Sequence, residues 1–280
     1  MRDLLIQIDT YAEPTPPAAI DQAVAFAKML GSSLSALAIH IDIRVPQNWL
    51  AERLLHVSRL AEIEENKSLE AARASLKHFE SSARAGGVFG EAIVARANVH
   101  SIGDCVARDA RTHDLCIVPV SARAGSQRTV AEDVVFGAGR PVLVFDPDNA
   151  RLPAEAPGRV AILWDGSRVA ARAVADAIPI LAKAQDVRVV TMVGEKPAAV
   201  SGLSADLVRH LRAYDIVAQT DEVHAAHRSI ANLIDAYVDE KAPQLLVMGA
   251  YGSSKMKEFI LGGATEHVLN DLRVPTLLSH

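Results

Sequence analysis

Along the chain, short apolar runs alternate with longer stretches whose apolar residues recur every three or four positions, the pattern of strands alternating with amphipathic helices. Leu4-Leu5-Ile6-Gln7-Ile8 predicts a first strand ending at Asp9, followed by a proline-rich loop, Glu13-Pro14-Thr15-Pro16-Pro17. Ile20, Val24, Phe26 and Ala27 mark a helix that Gly31 stops. Residues 35–43 read as a second strand, 44–58 as an insertion carrying Pro46 and Trp49, and 60–85 as a long helix with Leu69, Ala72, Leu76 and Phe79 on one face. A third strand (91–96), a helix (99–111), a fourth strand (115–120), a helix (129–136) and Pro141-Val142-Leu143-Val144-Phe145 complete the first series.

The polar, aperiodic stretch around Asp146-Pro147-Asp148-Asn149, running on to Pro157-Gly158, then interrupts the pattern, and the pattern restarts. Residues 160–164 predict a strand ending in Asp165-Gly166-Ser167, and 169–184 a helix with Val174, Ile178 and Leu181 on one face. A strand (187–193), a helix (205–213), a short strand (215–219) and a helix (229–239) follow. Gln244 to His280 closes the chain with the apolar run Leu245-Leu246-Val247-Met248, the small-residue loop Gly249-Ala250-Tyr251-Gly252-Ser253-Ser254, a helix opening at Gly262-Gly263-Ala264-Thr265, and a last strand at Thr276-Leu277-Leu278.

The two series also match locally. Asp114-Leu115-Cys116-Ile117-Val118 answers Gln244-Leu245-Leu246-Val247-Met248, and Glu132-Asp133-Val134-Val135 answers Glu266-His267-Val268-Leu269. This is a tandem duplication. The expected fold class is α/β, with two tandem Rossmann-like domains, each a mainly parallel five-stranded sheet with helices on both faces. The expected domains are 1–148 and 158–280, with 149–157 as linker.

Composition narrows the function classes. A formal charge of −5 argues against a basic nucleic-acid-binding face, and no apolar run approaches the roughly 20 residues of a membrane span. The acids within MRDLLIQIDTYAEP do not suit a signal peptide. Cys105 and Cys116 form no disulfide framework, so a cytoplasmic protein is expected. A strand that feeds a glycine-bearing loop and then a helix start lets backbone N–H groups surround an anion. The leading chemistry is therefore a phosphate site at the last strand–loop–helix unit.

With its repeat and its glycines, the chain resembles a tandem universal stress protein. The signature of that family is Gly-x2-Gly-x9-Gly followed by Ser or Thr, and Gly249, Gly252 and Gly262 fit its spacing. The likeness covers the whole chain in element order, but only the second half carries the signature. It implies ATP binding, with or without Mg²⁺, by the C-terminal domain. Asp165 matches the family's acid beside adenine and ribose, and Val193 an adenine-side backbone contact. Met248, Gly249, Gly252 and Ser253 match the turn around ribose and phosphates. Gly262, Gly263, Ala264 and Thr265 match the helix start facing the β- and γ-phosphates. It also implies that the last strands of the two halves pair, making an intramolecular pseudo-dimer, with dimerisation of chains a further expectation.

Two departures qualify this. Gly263 stands where the family has Ser or Thr, which removes one hydroxyl. In the first half Pro119-Val120-Ser121-Ala122-Arg123-Ala124-Gly125 replaces the glycine loop, and Asp9 is followed by Thr10-Tyr11 rather than Gly-Ser. That half is read as degenerate.

Each candidate residue also has a plain alternative. Gly249 and Gly252 could simply permit a tight turn, and Asp165 could fix its own loop through local hydrogen bonds. Trp164 could stack on a purine or sit at a core edge. Lys255 and Lys257 suit a solvated face, His224 and His227 a surface rather than a metal site, and His267 a dimer or surface role rather than catalysis. No catalytic residue is identified. The resulting expectation is a stress-response protein that binds adenine nucleotide and acts on a protein partner without being an enzyme. The alternatives are a scaffold or small-ligand binder that has lost ATP, and a slow ATP hydrolase.

Overall fold

The computed structural model describes residues 1–44, 57–121, 125–193, 203–224, 228–251 and 263–280. The strands are β1 (Asp3–Ile8), β2 (Ser33–Asp42), β3 (Phe89–Asn98), β4 (Leu115–Pro119), β5 (Val142–Phe145), β6 (Arg159–Leu163), β7 (Asp186–Val193), β8 (Ala218–His224), β9 (Leu245–Gly249) and β10 (Thr276–Ser279). The helices are α1 (Pro17–Leu30), α2 (Val57–Gly86), α3 (Ile102–Ala110), α4 (Gly125–Gly137), α5 (Arg168–Leu181), α6 (Ser204–Arg212), α7 (Ile230–Lys241) and α8 (Gly263–Asn270), with a 3₁₀ turn at Val99–Ser101 before α3.

All ten strands join one sheet in the order β3-β2-β1-β4-β5-β10-β9-β6-β7-β8. Every pairing is parallel except the central one, where β10 runs antiparallel to β5 with Leu277 opposite Leu143. The fold is thus the expected α/β class, and the two halves pair through their last strands within one chain. That seam covers the two edges that would otherwise be exposed templates for pairing. The central strands are continuous apolar runs because helices bury both faces of the sheet. One core lies beneath α1, α2, α5 and α6, and the other beneath α3, α4, α7 and α8.

Local sequence sets the helix ends. Pro17 opens α1, and Gly31, at φ 73°, closes it with its N–H on the Lys28 carbonyl. Ser167 caps α5 by accepting the Ala170 N–H at 3.2 Å, and Ser229 caps α7 through Asn232 N–H at 3.3 Å. The segment joining the halves is anchored on α1: Gln22 donates to the Pro147 carbonyl at 2.9 Å and accepts the Leu152 N–H at 3.1 Å.

One element departs from expectation. The short strand expected at 215–219 is shifted along the chain: Asp215 has φ 60°, and the Ile216 N–H turns back to the Leu211 carbonyl, so 215–216 end α6 and only Ala218 and Gln219 of that stretch are strand. The strand begins at Ala218 and extends to His224 at the sheet edge, where its side chains alternate towards solvent. His224 therefore lies on a strand, while His227, like Trp49 of the insertion, lies outside the described residues.

The strand registers superimpose the halves residue by residue. Leu4 pairs with Leu115 in β1–β4, and Val160 with Leu245 in β6–β9. Counting forward, Gln7 corresponds to Leu163 and Asp9 to Asp165. Pro119 corresponds to Gly249 by the same count.

Candidate functional site

In the C-terminal half the chain runs outward from β6 to β7 and β8, then returns to β9 on the other side of β6. The carboxyl ends of β6 and β9 are thus the point where strand order reverses, the place where open α/β sheets form a ligand crevice. Asp165 and Gly249 both stand there.

Asp165 is exposed, and its Oδ1 accepts the Ser167 N–H at 3.0 Å. The Asp-Gly-Ser turn explains the local path. Gly166 takes φ 71°, a conformation glycine adopts without a Cβ penalty, and Ser167 starts α5. The local hydrogen bond suggested by sequence is present, and it leaves Asp165 exposed at the carboxyl end of β6. The neighbouring Trp164 donates its indole N–H to the Leu203 carbonyl at 3.3 Å and packs against the core, so it occupies the core-edge position.

Gly249 has a definite packing reason. A Cβ there would lie 2.5 Å from the Ala170 nitrogen and 2.6 Å from the Val169 carbonyl carbon. The first turn of α5 is therefore seated directly on the end of β9. Met248 is buried in the sheet, paired with Leu163 on one side and Leu278 on the other. Val193 ends β7 opposite His224.

At the start of α8, Gly263 is exposed, and a Cβ there would meet nothing within 4 Å. Ala264 packs partly against the core. Thr265 is 2% exposed, and its Oγ1 accepts the Tyr251 N–H at 3.4 Å, so its hydroxyl braces the β9 exit. Gly252, Ser253, Gly262, Lys255 and Lys257 lie outside the described residues. The structure thus brings Asp165, Met248 and Gly249 to one end of adjacent strands. The described part of α8 begins at the exposed Gly263, on the side of the helix N-terminus, where partial positive charge favours an anion.

The equivalent acid in the N-terminal half is buried. Asp9 is 5% exposed, and Gln7 Nε2 donates to its Oδ1 at 2.7 Å. Its N–H donates to Thr15 Oγ1 at 2.8 Å, and the Thr15 N–H returns to the Asp9 carbonyl at 2.9 Å. Gln127 of α4 accepts the Ser121 N–H at 2.7 Å and also faces the carboxyl. Burial pushes the Asp9 pKa up to about 6, against the lowering effect of the Gln7 and Gln127 hydrogen bonds. A polar plug occupies the place of an open site.

Sequence reading missed one cluster, at the seam between the halves. Tyr251, in the glycine loop, lies on Phe136 of α4 with ring centroids 4.4 Å apart, and His280 meets Phe136 edge-on at 4.9 Å. A tyrosine between the first two signature glycines, in a chain only 4% aromatic, was the available signal. Nothing local pointed to Phe136.

Among the described residues no group of three His, Cys, Asp or Glu side chains could hold a metal ion, and no helix is long and apolar enough to cross a membrane. His267 instead pairs with Asp235 of α7 at 2.8 Å.

Residues 158–280 match the model of the universal stress protein family. Among solved structures, the chain resembles a universal stress protein from Archaeoglobus fulgidus, with TM-score 0.73 and 15% identity over 98% of this chain and 95% of that one. It also resembles a protein from Pseudomonas aeruginosa provisionally classed with the universal stress proteins, with TM-score 0.55 and 15% identity over 99% and 92% of the two chains. At such identities the likeness concerns the fold. No curated protein matches the sequence.

Proposed function

We propose that this chain, whose residues 158–280 form a universal stress protein domain, binds an adenine nucleotide, ATP in the first instance, at the carboxyl ends of β6 and β9 and acts as a regulatory protein without catalysing a reaction. The observation that carries this reading is the exposed acid Asp165 after β6 at the strand-order reversal, with the described part of α8, from Gly263, following the neighbouring strand β9. The carboxylate is suited to accept hydrogen bonds from ribose hydroxyls or the adenine amino group. Among the described residues a Cβ at Gly263 would meet nothing within 4 Å, which suits the approach of a phosphate to the backbone there. Bound ATP would bring a triphosphate charge to the α8 N-terminus. Mg²⁺, where it accompanies ATP, would be held chiefly by the phosphates.

Gly252, Ser253 and Gly262 belong to the same proposed site through the family signature, with Met248, Gly249, Val193, Ala264 and Thr265 framing it. Division of labour between a degenerate 1–148 domain and a binding 158–280 domain is part of the proposal, and the sealed Asp9 supports it. Binding matters to a partner only where the nucleotide favours one conformation over another.

A second reading, a scaffold without nucleotide, is favoured by the inward hydroxyl of Thr265 and by Gly263 in place of a hydroxyl residue. Calorimetric titration with ATP and GTP, on wild type and Asp165→Ala, separates the two. The nucleotide reading expects an ATP preference that the substitution removes. Identical curves for both nucleotides and both proteins would favour the scaffold.

A further inference from the structure

The exit of β9 is held in place by the opposite half of the molecule. Tyr251 follows Ala250 there with φ 57°, a left-handed backbone conformation that a bulky residue adopts only when its surroundings impose it. Its N–H donates to Thr265 Oγ1, the residue is 4% exposed, and its ring lies on Phe136 with the planes inclined by 31°. Ala250 is fixed from the other side: its N–H donates to the Ser279 carbonyl at 2.8 Å, and its carbonyl lies 3.0 Å from His280 Nδ1. His280 in turn meets the Phe136 ring, so that ring touches both arms of the brace.

The same helix, α4, also reaches the first turn of α8. Arg128 is bonded to Glu132 at 3.0 Å and lies 3.8 Å from Glu266. One helix of the N-terminal half therefore contacts both the strand exit and the helix start that flank the candidate site. Gln127, next to Arg128 at the N-terminal end of α4, also faces the buried Asp9.

We propose that Phe136 is a positioning residue through which the N-terminal half sets the backbone at Ala250 and Tyr251, and with it the affinity of the C-terminal site. The affinity part rests on the nucleotide reading of that site; the positioning part rests on the contacts alone. Coupling of this kind is reciprocal, so a ligand in the C-terminal half tightens α4 by the same factor by which α4 tightens the ligand.

The test uses full-length wild type, Phe136→Ala and Phe136→Tyr. Amide hydrogen exchange is followed at Ala250 and Tyr251, with Leu246 and Val247 of β9 as internal controls, beside calorimetry with ATP. Aromatic pairs contribute enough that Phe136→Ala is expected to speed exchange at Ala250 and Tyr251 by about tenfold and to weaken ATP by about tenfold. The control amides stay protected, and Phe136→Tyr restores both properties. Unchanged exchange at Ala250 and Tyr251 in Phe136→Ala overturns the positioning role, whatever ATP does. Faster exchange with unaltered affinity overturns the link to the site and leaves the nucleotide reading standing. A wild type that binds no ATP overturns that reading and the affinity part together, and the exchange data still decide the positioning part.

Discussion

Asp9 and Asp165 occupy the same register position in the two halves, yet Asp9 is sealed by Gln7, Thr15 and Gln127 while Asp165 stands exposed at the strand-order reversal. A duplicated acid has thus been given two environments. In one it serves as a buried polar plug, and in the other it stands at the surface where the strand order reverses.

The plug has a measurable signature. With its folded pKa raised to about 6 from 3.8, Asp9 binds a proton more readily in the native state than in the unfolded chain. Its contribution is therefore fully present below pH 3.8 and is lost as pH rises through 6. The loss approaches about 3 kcal/mol at pH 7, from 1.36 kcal/mol per pKa unit. Asp9→Asn, which cannot ionise, should gain stability relative to wild type by up to that amount between pH 4 and pH 7. Urea denaturation of both proteins at several pH values reads the difference. A difference independent of pH would show that Asp9 does not titrate in this window.

Gly249 and Gly263 should behave oppositely under substitution. Gly249→Ala drives a Cβ into the backbone of α5, so a loss of about 1–3 kcal/mol is expected in the unfolding free energy. Gly263→Ser adds a Cβ that meets nothing within 4 Å among the described residues and should leave thermal stability nearly unchanged.

Gly263→Ser also bears on binding. It returns a hydroxyl at the α8 start, where one more hydrogen bond to a phosphate is worth about 1 kcal/mol, or roughly fivefold in affinity. Titration with ATP should show that gain. A variant as stable as wild type but with unaltered ATP affinity would place the phosphates elsewhere.

The seam between the halves is predicted to be a principal source of stability. Leu277 is fully buried opposite Leu143 on the antiparallel β5–β10 pair. Leu277→Ala should cost about 2–5 kcal/mol, read by chemical denaturation. A cost below 1 kcal/mol would mean the two halves are held mainly by other contacts.

Much of this arrangement was legible in the sequence because the buried strands are apolar runs with clear ends. Leu245 to Met248, and Val142 to Phe145, could hardly be anything else once helical periods flanked them. The edge was harder. Residues 215–219 look like a strand because Ile216, Val217 and Ala218 are apolar, but Ile216 plugs the end of α6 and Val217 is 79% exposed. The polar alternation of Ala218–His224 is what an edge strand requires. The glycine spacing identified the strand–loop–helix unit, since spacing is local. The packing of Gly249 on Ala170, the Gln127 plug over Asp9 and the Phe136–Tyr251 contact all join segments far apart in the chain, and no local pattern records them.

The central claim is that the C-terminal half holds an adenine nucleotide. Its most direct test is to purify the full chain, release any bound small molecule with acid, identify it by chromatography, and titrate the stripped protein with ATP. The account predicts an adenine nucleotide in the released fraction and saturable rebinding of ATP at one site per chain. A released fraction without nucleotide, together with no heat of binding at millimolar ATP, would contradict it and leave the glycine loop as a turn.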